Sequence, residues 1–209
     1  WESNTALFFM VLGLYLFYKY INSLSTKYLV LFPIPLVVAL YTYHSARLII
    51  PALFLILFIK YYKNLLNKNT IFSLIISGVL CIPLLFSFLN NGGTTRLAGV
   101  GLSADRGPLS RSEELLNQHP NFTYYDRIIH NQRVLYVLSW GQKYLSHFDL
   151  NFLFLNGDEV PRSKNPEMGQ IYLIELPLII FGIYFLLKNK KYNNLSFLII
   201  SLLIVSPLA

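Results

Sequence analysis

The residues best equipped for chemistry lie in Tyr41-Thr42-Tyr43-His44-Ser45-Ala46-Arg47, followed by Pro51. This stretch ends one apolar run and begins the next. A charge at such a boundary is costly unless it faces protein, water or a lipid headgroup. Arg47 suits a phosphate, because a guanidinium fork can meet two phosphate oxygens at once. His44, Tyr41 and Tyr43 would add donors. The same residues also fit an interfacial aromatic belt with an arginine that snorkels to water. On spacing alone both readings stand.

A second group is Asp126, His130 and Arg133. Spacings of four and three set them on one face of a helix, opposite Ile128 and Leu135. A carboxylate beside an imidazole can serve as a general base or orient an acceptor. An Asp–His or Asp–Arg pair on a solvated face is the plainer reading. A third group is Asn156-Gly157-Asp158-Glu159 with Arg162. Adjacent acids near a membrane mouth can take a cation or a sugar, and adjacent acids in a turn can equally be only solvated. Glu175 stands one turn inside an apolar run, near Tyr172. An acid there points to a polar cavity, or to a pair with a basic loop residue.

Other chemistries lack their residues. No Cys/His set has zinc spacing, so no metal ligands are identified. No Gly-rich loop ends in Lys-Ser/Thr and no Gly-x-Ser-x-Gly occurs, so no nucleotide cofactor or nucleophile elbow is identified. Cys81 is a lone cysteine in an apolar run and reads as a small packing residue. Asn121-Phe122-Thr123 matches a glycosylation sequon by pattern only.

The elements that must position these residues are membrane helices. Hydrophobic residues make up 55% of the chain and charged residues 13%, against about 25% charged in soluble domains. The apolar residues gather in five blocks, 6–18, 28–43, 48–62, 71–89 and 171–187, and a sixth, 195–209, begins and is cut off. A spanning helix needs about 20 mostly apolar residues. Pro33, Pro35 and Pro83 fall inside the blocks, which membrane helices tolerate where neighbours satisfy the freed carbonyls. The expected fold is all-α, a polytopic transmembrane helix bundle with a long, partly helical extracytoplasmic loop. Residues 1–90 would hold about four spans, 91–170 the loop, and 171–209 one full span and the start of another. The chain reads as a piece of a longer one, beginning at Trp1 without a cleavable leader and ending inside an apolar run.

Charge orients this bundle. Three short connections carry Lys19 and Lys27, then Lys60, Lys63 and Lys68, then Lys188, Lys190 and Lys191, with no acid among them. Region 91–170 holds eight basic and eight acidic residues and is neutral. Lysine-rich connections stay in the cytoplasm, so 41–47 and 91–170 fall on the opposite face. The net charge of +7 is therefore topology rather than a nucleic-acid footprint. Within the loop, Ser110 and Glu113 have capping-box spacing ahead of Leu115 and Leu116, which predicts a helix start. Helical spacing from 124 to about 147 predicts a helix on the membrane surface or packed on the bundle. Tyr125, Ile128, Leu135, Tyr136 and Leu138 share its apolar face.

Three stretches carry a resemblance. One is Tyr41 to Arg47 with Pro51. Another is Tyr144-Leu145-Ser146-His147-Phe148, followed by Phe152-Leu153-Phe154 and Gly157-Asp158. The third runs from Gly169 to Leu173, then Leu176-Pro177 and Gly182. In these the chain resembles part of a GT-C glycosyltransferase of the bacterial protein-mannosyltransferase-like and aminoarabinose-transferase-like group. The resemblance implies an enzyme of the bacterial plasma membrane that takes a sugar from a polyprenyl-phosphate-linked donor. The sugar would pass to a glycan, lipid or protein acceptor on the extracytoplasmic side. It implies Arg47 and His44 as phosphate or headgroup contacts, with Tyr43 and Tyr41 beside them. In the family the catalytic carboxylate lies in an early outer loop, which this sequence does not contain. No catalytic role therefore passes to Asp126 or Asp158, and the need for a divalent cation stays open. Two alternatives compete. An O-antigen polymerase or ligase shares many helices and a large outer loop. A transporter predicts repeats and broken helices near the midplane, and a non-catalytic scaffold predicts an arginine without catalytic consequence.

Overall fold

The computed structural model describes residues 2–90, 106–118, 129–158 and 168–208, and no strand occurs among them. The helices are α1 (Glu2–Ser23), α2 (Thr26–Leu31), α3 (Pro33–Thr42), α4 (Ala46–Leu65), α5 (Lys68–Leu89), α6 (Gly107–Gln118), α7 (Gln132–Ser146), α8 (Glu175–Lys188) and α9 (Asn193–Val205). The chain divides into one unit of Trp1–Ser87 with Ile179–Ala209, and a second of Phe88–Leu178. Four stretches are long and apolar enough to cross a membrane: Glu2–Ser23, Ala46–Leu65, Lys68–Ser87 and Lys190–Leu208. This is a membrane protein by its helices.

The first unit is built on an apolar stripe of α1. Ala6, Met10, Leu14, Phe17 and Tyr20 are buried at helical spacing. Gly13 lets α3 approach closely, since a Cβ there would strike the Leu36 side chain. Phe17 forms the centre. Its ring meets Phe32 edge-on at 5.2 Å and Tyr61 at 5.5 Å, arrangements that aromatic quadrupoles favour. From α4, Ile49, Ile50, Leu53, Leu57, Tyr61 and Leu65 close the core.

The block expected at 28–43 is an apolar helical stretch, Thr26–Thr42, in which Phe32 keeps helical φ and ψ and only the hydrogen-bond ladder is interrupted. It is α2 and α3, separated at Phe32. Pro33 is the cause, because it has no N–H to return to the Leu29 carbonyl. The buried Ser73 hydroxyl of α5 donates to that carbonyl at 2.9 Å. Pro83 lies inside α5, which stays one helix, and in the turn ahead of it the Leu80 carbonyl accepts from Tyr41 Oη at 2.6 Å. Hydroxyls of neighbouring helices thus occupy carbonyls at both proline sites. Two further boundaries differ from expectation. The helix in block 171–187 begins only at Glu175 and has 14 residues, because Leu176-Pro177 favours a helix start there. The last run is long enough to span when counted from Lys190.

In the second unit α6 and α7 are tied by Ser112 Oγ, which donates to the His130 carbonyl at 2.6 Å. The helix of α6 starts at Gly107, with Pro108 in its first turn, not at Ser110. Ser110 Oγ instead donates back to the Arg106 carbonyl at 3.1 Å. A proline in the first turn needs no helical donor, and that outranks the capping-box spacing. A π-helical turn at Asn151–Leu155 follows α7. Gly169 is pressed onto it so closely that a Cβ would collide with the backbone of Leu153 and Phe154. Ile171 N–H donates to the Leu153 carbonyl at 2.8 Å.

Candidate functional site

The turn between α3 and α4 holds the boundary residues in a defined arrangement. Tyr43 is extended and closes α3 by donating its N–H to the Ala39 carbonyl. His44 and Ser45 make the turn, and Ala46 begins α4. Arg47 Nε then reaches back and donates to the Leu40 carbonyl at 3.1 Å. That carbonyl is among the last four of α3, which no intrahelical donor can meet. A cation at this helix end also complements the negative end of the dipole. Arg47 Nη1 lies 3.0 Å from His44 Nδ1. A guanidinium has no acceptor, so Nδ1 accepts, and the neutral ring carries its proton on Nε2. Tyr41, Tyr43 and His44 are exposed while Arg47 is half-buried. The arginine is therefore held in place by backbone and ring.

At the other end of the same unit the three lysine-bearing connections converge. Tyr20 Oη donates to the Asn64 carbonyl at 2.5 Å, and Asn67 Nδ2 reaches Tyr20 Oη at 3.3 Å. Asn69 Nδ2 donates to Thr26 Oγ1 at 3.2 Å. Tyr61 Oη donates to Asn194 Oδ1 at 3.1 Å, and Asn194 Nδ2 to Asn22 Oδ1 at 3.2 Å. These bonds join residues of α1, α2, α4, α5 and α9. Since α4 begins beside Arg47 and ends at this network, the boundary turn and the lysines occupy opposite ends of the helix. Comparison with family models, curated proteins and solved structures found no match.

The second unit treats the remaining candidates differently. Asp126 and Arg162 lie outside the described residues, as do Glu159 and the sequon at 121–123. The helix expected from 124 to about 147 is interrupted: residues 124–128 lie outside the described residues, Ile129 is helical, and α7 runs from Gln132 to Ser146. His130 lies in a turn ahead of it, and Asn131 caps it, accepting from the Arg133 N–H at 2.9 Å. His130 and Arg133 are therefore not one face of a continuous helix, which corrects the spacing argument for them. Asn131 was the legible sign, being a favoured N-cap residue. Asp158 is half-buried beside Gly157, whose φ of 66° is left-handed. Glu175 heads α8, where a carboxylate faces the positive helix end. Among the described residues no group of His, Cys, Asp or Glu could hold a metal ion.

One feature escaped the sequence reading. Trp140, Tyr144 and Phe148 form a ladder on α7 and just beyond it, with ring centroids 5.8 and 5.6 Å apart. Their spacing of four was the available signal.

Proposed function

We propose that the chain belongs to a membrane glycosyltransferase that moves a sugar from a polyprenyl-phosphate-linked donor to a glycan, lipid or protein acceptor on the extracytoplasmic side. The observation that carries the reading is the Arg47 guanidinium, fixed at a helix–helix turn by the Leu40 carbonyl and His44. The leaving group in such a reaction is a lipid phosphate, and charge developing there needs a cation already in position. Arg47 is that cation, with the exposed His44, Tyr43 and Tyr41 around it. The base that takes the acceptor proton is a carboxylate outside this sequence, following the family resemblance. The transporter alternative draws on the interrupted hydrogen-bond ladder between α2 and α3. A transporter uses such a break to present bare carbonyls to an ion, whereas here the Leu29 carbonyl accepts from Ser73, so the break supports packing.

The test is sugar transfer in membranes holding the full protein, with a polyprenyl-phosphate sugar as donor. Wild type is compared with Arg47→Ala and Arg47→Lys at matched folded amounts. Loss of one transition-state donor costs about 10²-fold or more, so Arg47→Ala is expected to fall by that factor. Arg47→Lys, which keeps the charge without the fork, should fall less. Wild-type transfer rates in Arg47→Ala would reduce the arginine to a helix cap. Failure of the wild type with a panel of donors would count against the enzyme.

A further inference from the structure

We propose that the lysine-bearing end of the first unit is a binding surface for the headgroups of anionic phospholipids. Eight lysines, Lys19, Lys27, Lys60, Lys63, Lys68, Lys188, Lys190 and Lys191, lie in or beside connections that contain no acid. The Asn–Tyr network described above gathers those connections at one end. Among the described residues, none of the eight pairs with a carboxylate. Several are instead placed over aromatic rings. Lys60 Nζ sits 3.6 Å from the Phe197 centroid and 5.4 Å from that of Tyr61. Lys27 lies 4.9 Å from the Tyr28 centroid and Lys188 5.2 Å from that of Tyr184.

A ring anchors an ammonium without cancelling its charge. The result is a ring-backed cationic surface whose connections contain no acid. Its neighbours decide the partner. The lysines stand at the ends of helices whose flanks are exposed and apolar, such as Ile71, Phe72, Leu74 and Ile75 of α5. Those flanks must lie in acyl chains, and the charges at their ends then lie at headgroup depth. The anion present there is the lipid phosphate. A nucleic acid would have to reach cations set against the bilayer. This surface is at the opposite end of α4 from Arg47, so its test stands apart from sugar transfer.

The experiment reconstitutes the purified full protein with spin-labelled phosphatidylglycerol or spin-labelled phosphatidylcholine and compares the motionally restricted fractions. The expected result is a several-fold preference for phosphatidylglycerol, falling as salt screens the charges. The variant combining Lys60→Gln, Lys190→Gln and Lys191→Gln should lose most of that preference. Arginine at the same three positions should keep it, and so should Arg106→Gln with Arg111→Gln in the second unit. Equal restriction of the two lipids by wild type would overturn the proposal. So would a preference that survives in the glutamine variant. If the glutamine variant does not fold, the salt dependence of wild type still decides, since a salt-independent preference is not a headgroup-charge effect.

Discussion

The structural bond of Arg47 and its proposed phosphate contact can be measured separately. Its bond to the Leu40 carbonyl is structural. Hydrogen bonds from charged groups contribute about 1.5–3 kcal/mol, and half-exposure lowers this, so Arg47→Ala is expected to cost about 1 kcal/mol. Thermal unfolding in detergent would register it as a shift of a few degrees. A much larger loss of sugar transfer than of stability would then belong to phosphate binding. Gly169 makes a second residue-scale case. Adding a Cβ drives it into the backbone at Leu153 and Phe154, and overpacking of this kind costs about 1–3 kcal/mol. Gly169→Ala should therefore make the second unit more sensitive to limited proteolysis, and unchanged digestion would refute the close approach. The boundary position of Arg47 was legible, because an arginine between two apolar runs must sit where a membrane ends. Its partner was not. Which carbonyl it meets depends on how the turn at His44 and Ser45 folds back, and spacing does not encode that.

Hydroxyls of neighbouring helices bond to carbonyls close to Pro33 and Pro83. Ser73→Ala leaves the Leu29 carbonyl without its donor. Interhelical hydrogen bonds in membranes average about 0.6 kcal/mol, with about 1.7 at the upper end. A buried carbonyl already stripped of its helical donor belongs in the upper part of that range. The double-mutant cycle is sharper. Pro33→Ala restores an N–H to that carbonyl, so Ser73→Ala should cost less in the Pro33→Ala background than alone. Additive effects would show that Ser73 acts otherwise than through Leu29. Pro33 and Pro35 were visible in the sequence, yet the strong apolar run around them reads as one continuous span. Hydropathy measures burial and is blind to the missing N–H, so the break needed the proline to be weighed against the run. The starts of α6 and α7 make the same point. Pro108 and Asn131 marked them locally, while capping-box spacing placed the start of α6 too late and periodicity ran through the interruption at His130 and Asn131.

At the scale of the whole molecule, geometry and charge agree on one threading. α4 has 20 residues with a kink at Tyr61, a contour of about 30 Å at 1.5 Å per residue, comparable to the hydrocarbon thickness. Its first turn holds Arg47 and its last turn meets Tyr20 of α1 through Asn64. α1 therefore ends where α4 ends, and α2 with α3 must carry the chain back across. Together they span Thr26–Thr42, about 25 Å, slightly less than the bilayer. Lys27 snorkelling and local thinning absorb such a mismatch at a small cost per ångström. The threading predicts sidedness. Cys81 is the sole cysteine, so Cys81→Ser gives a background for single-cysteine labelling in oriented vesicles. Leu66→Cys and Lys190→Cys should react with a membrane-impermeant maleimide from one side only. Tyr43→Cys and Asn90→Cys should react only from the other. Labelling of Leu66→Cys and Tyr43→Cys from the same side would mean that α4 does not cross. The boundary arginine and the lysines would then share one surface, and the assignment of phosphate chemistry to one face and headgroup binding to the other would fail together.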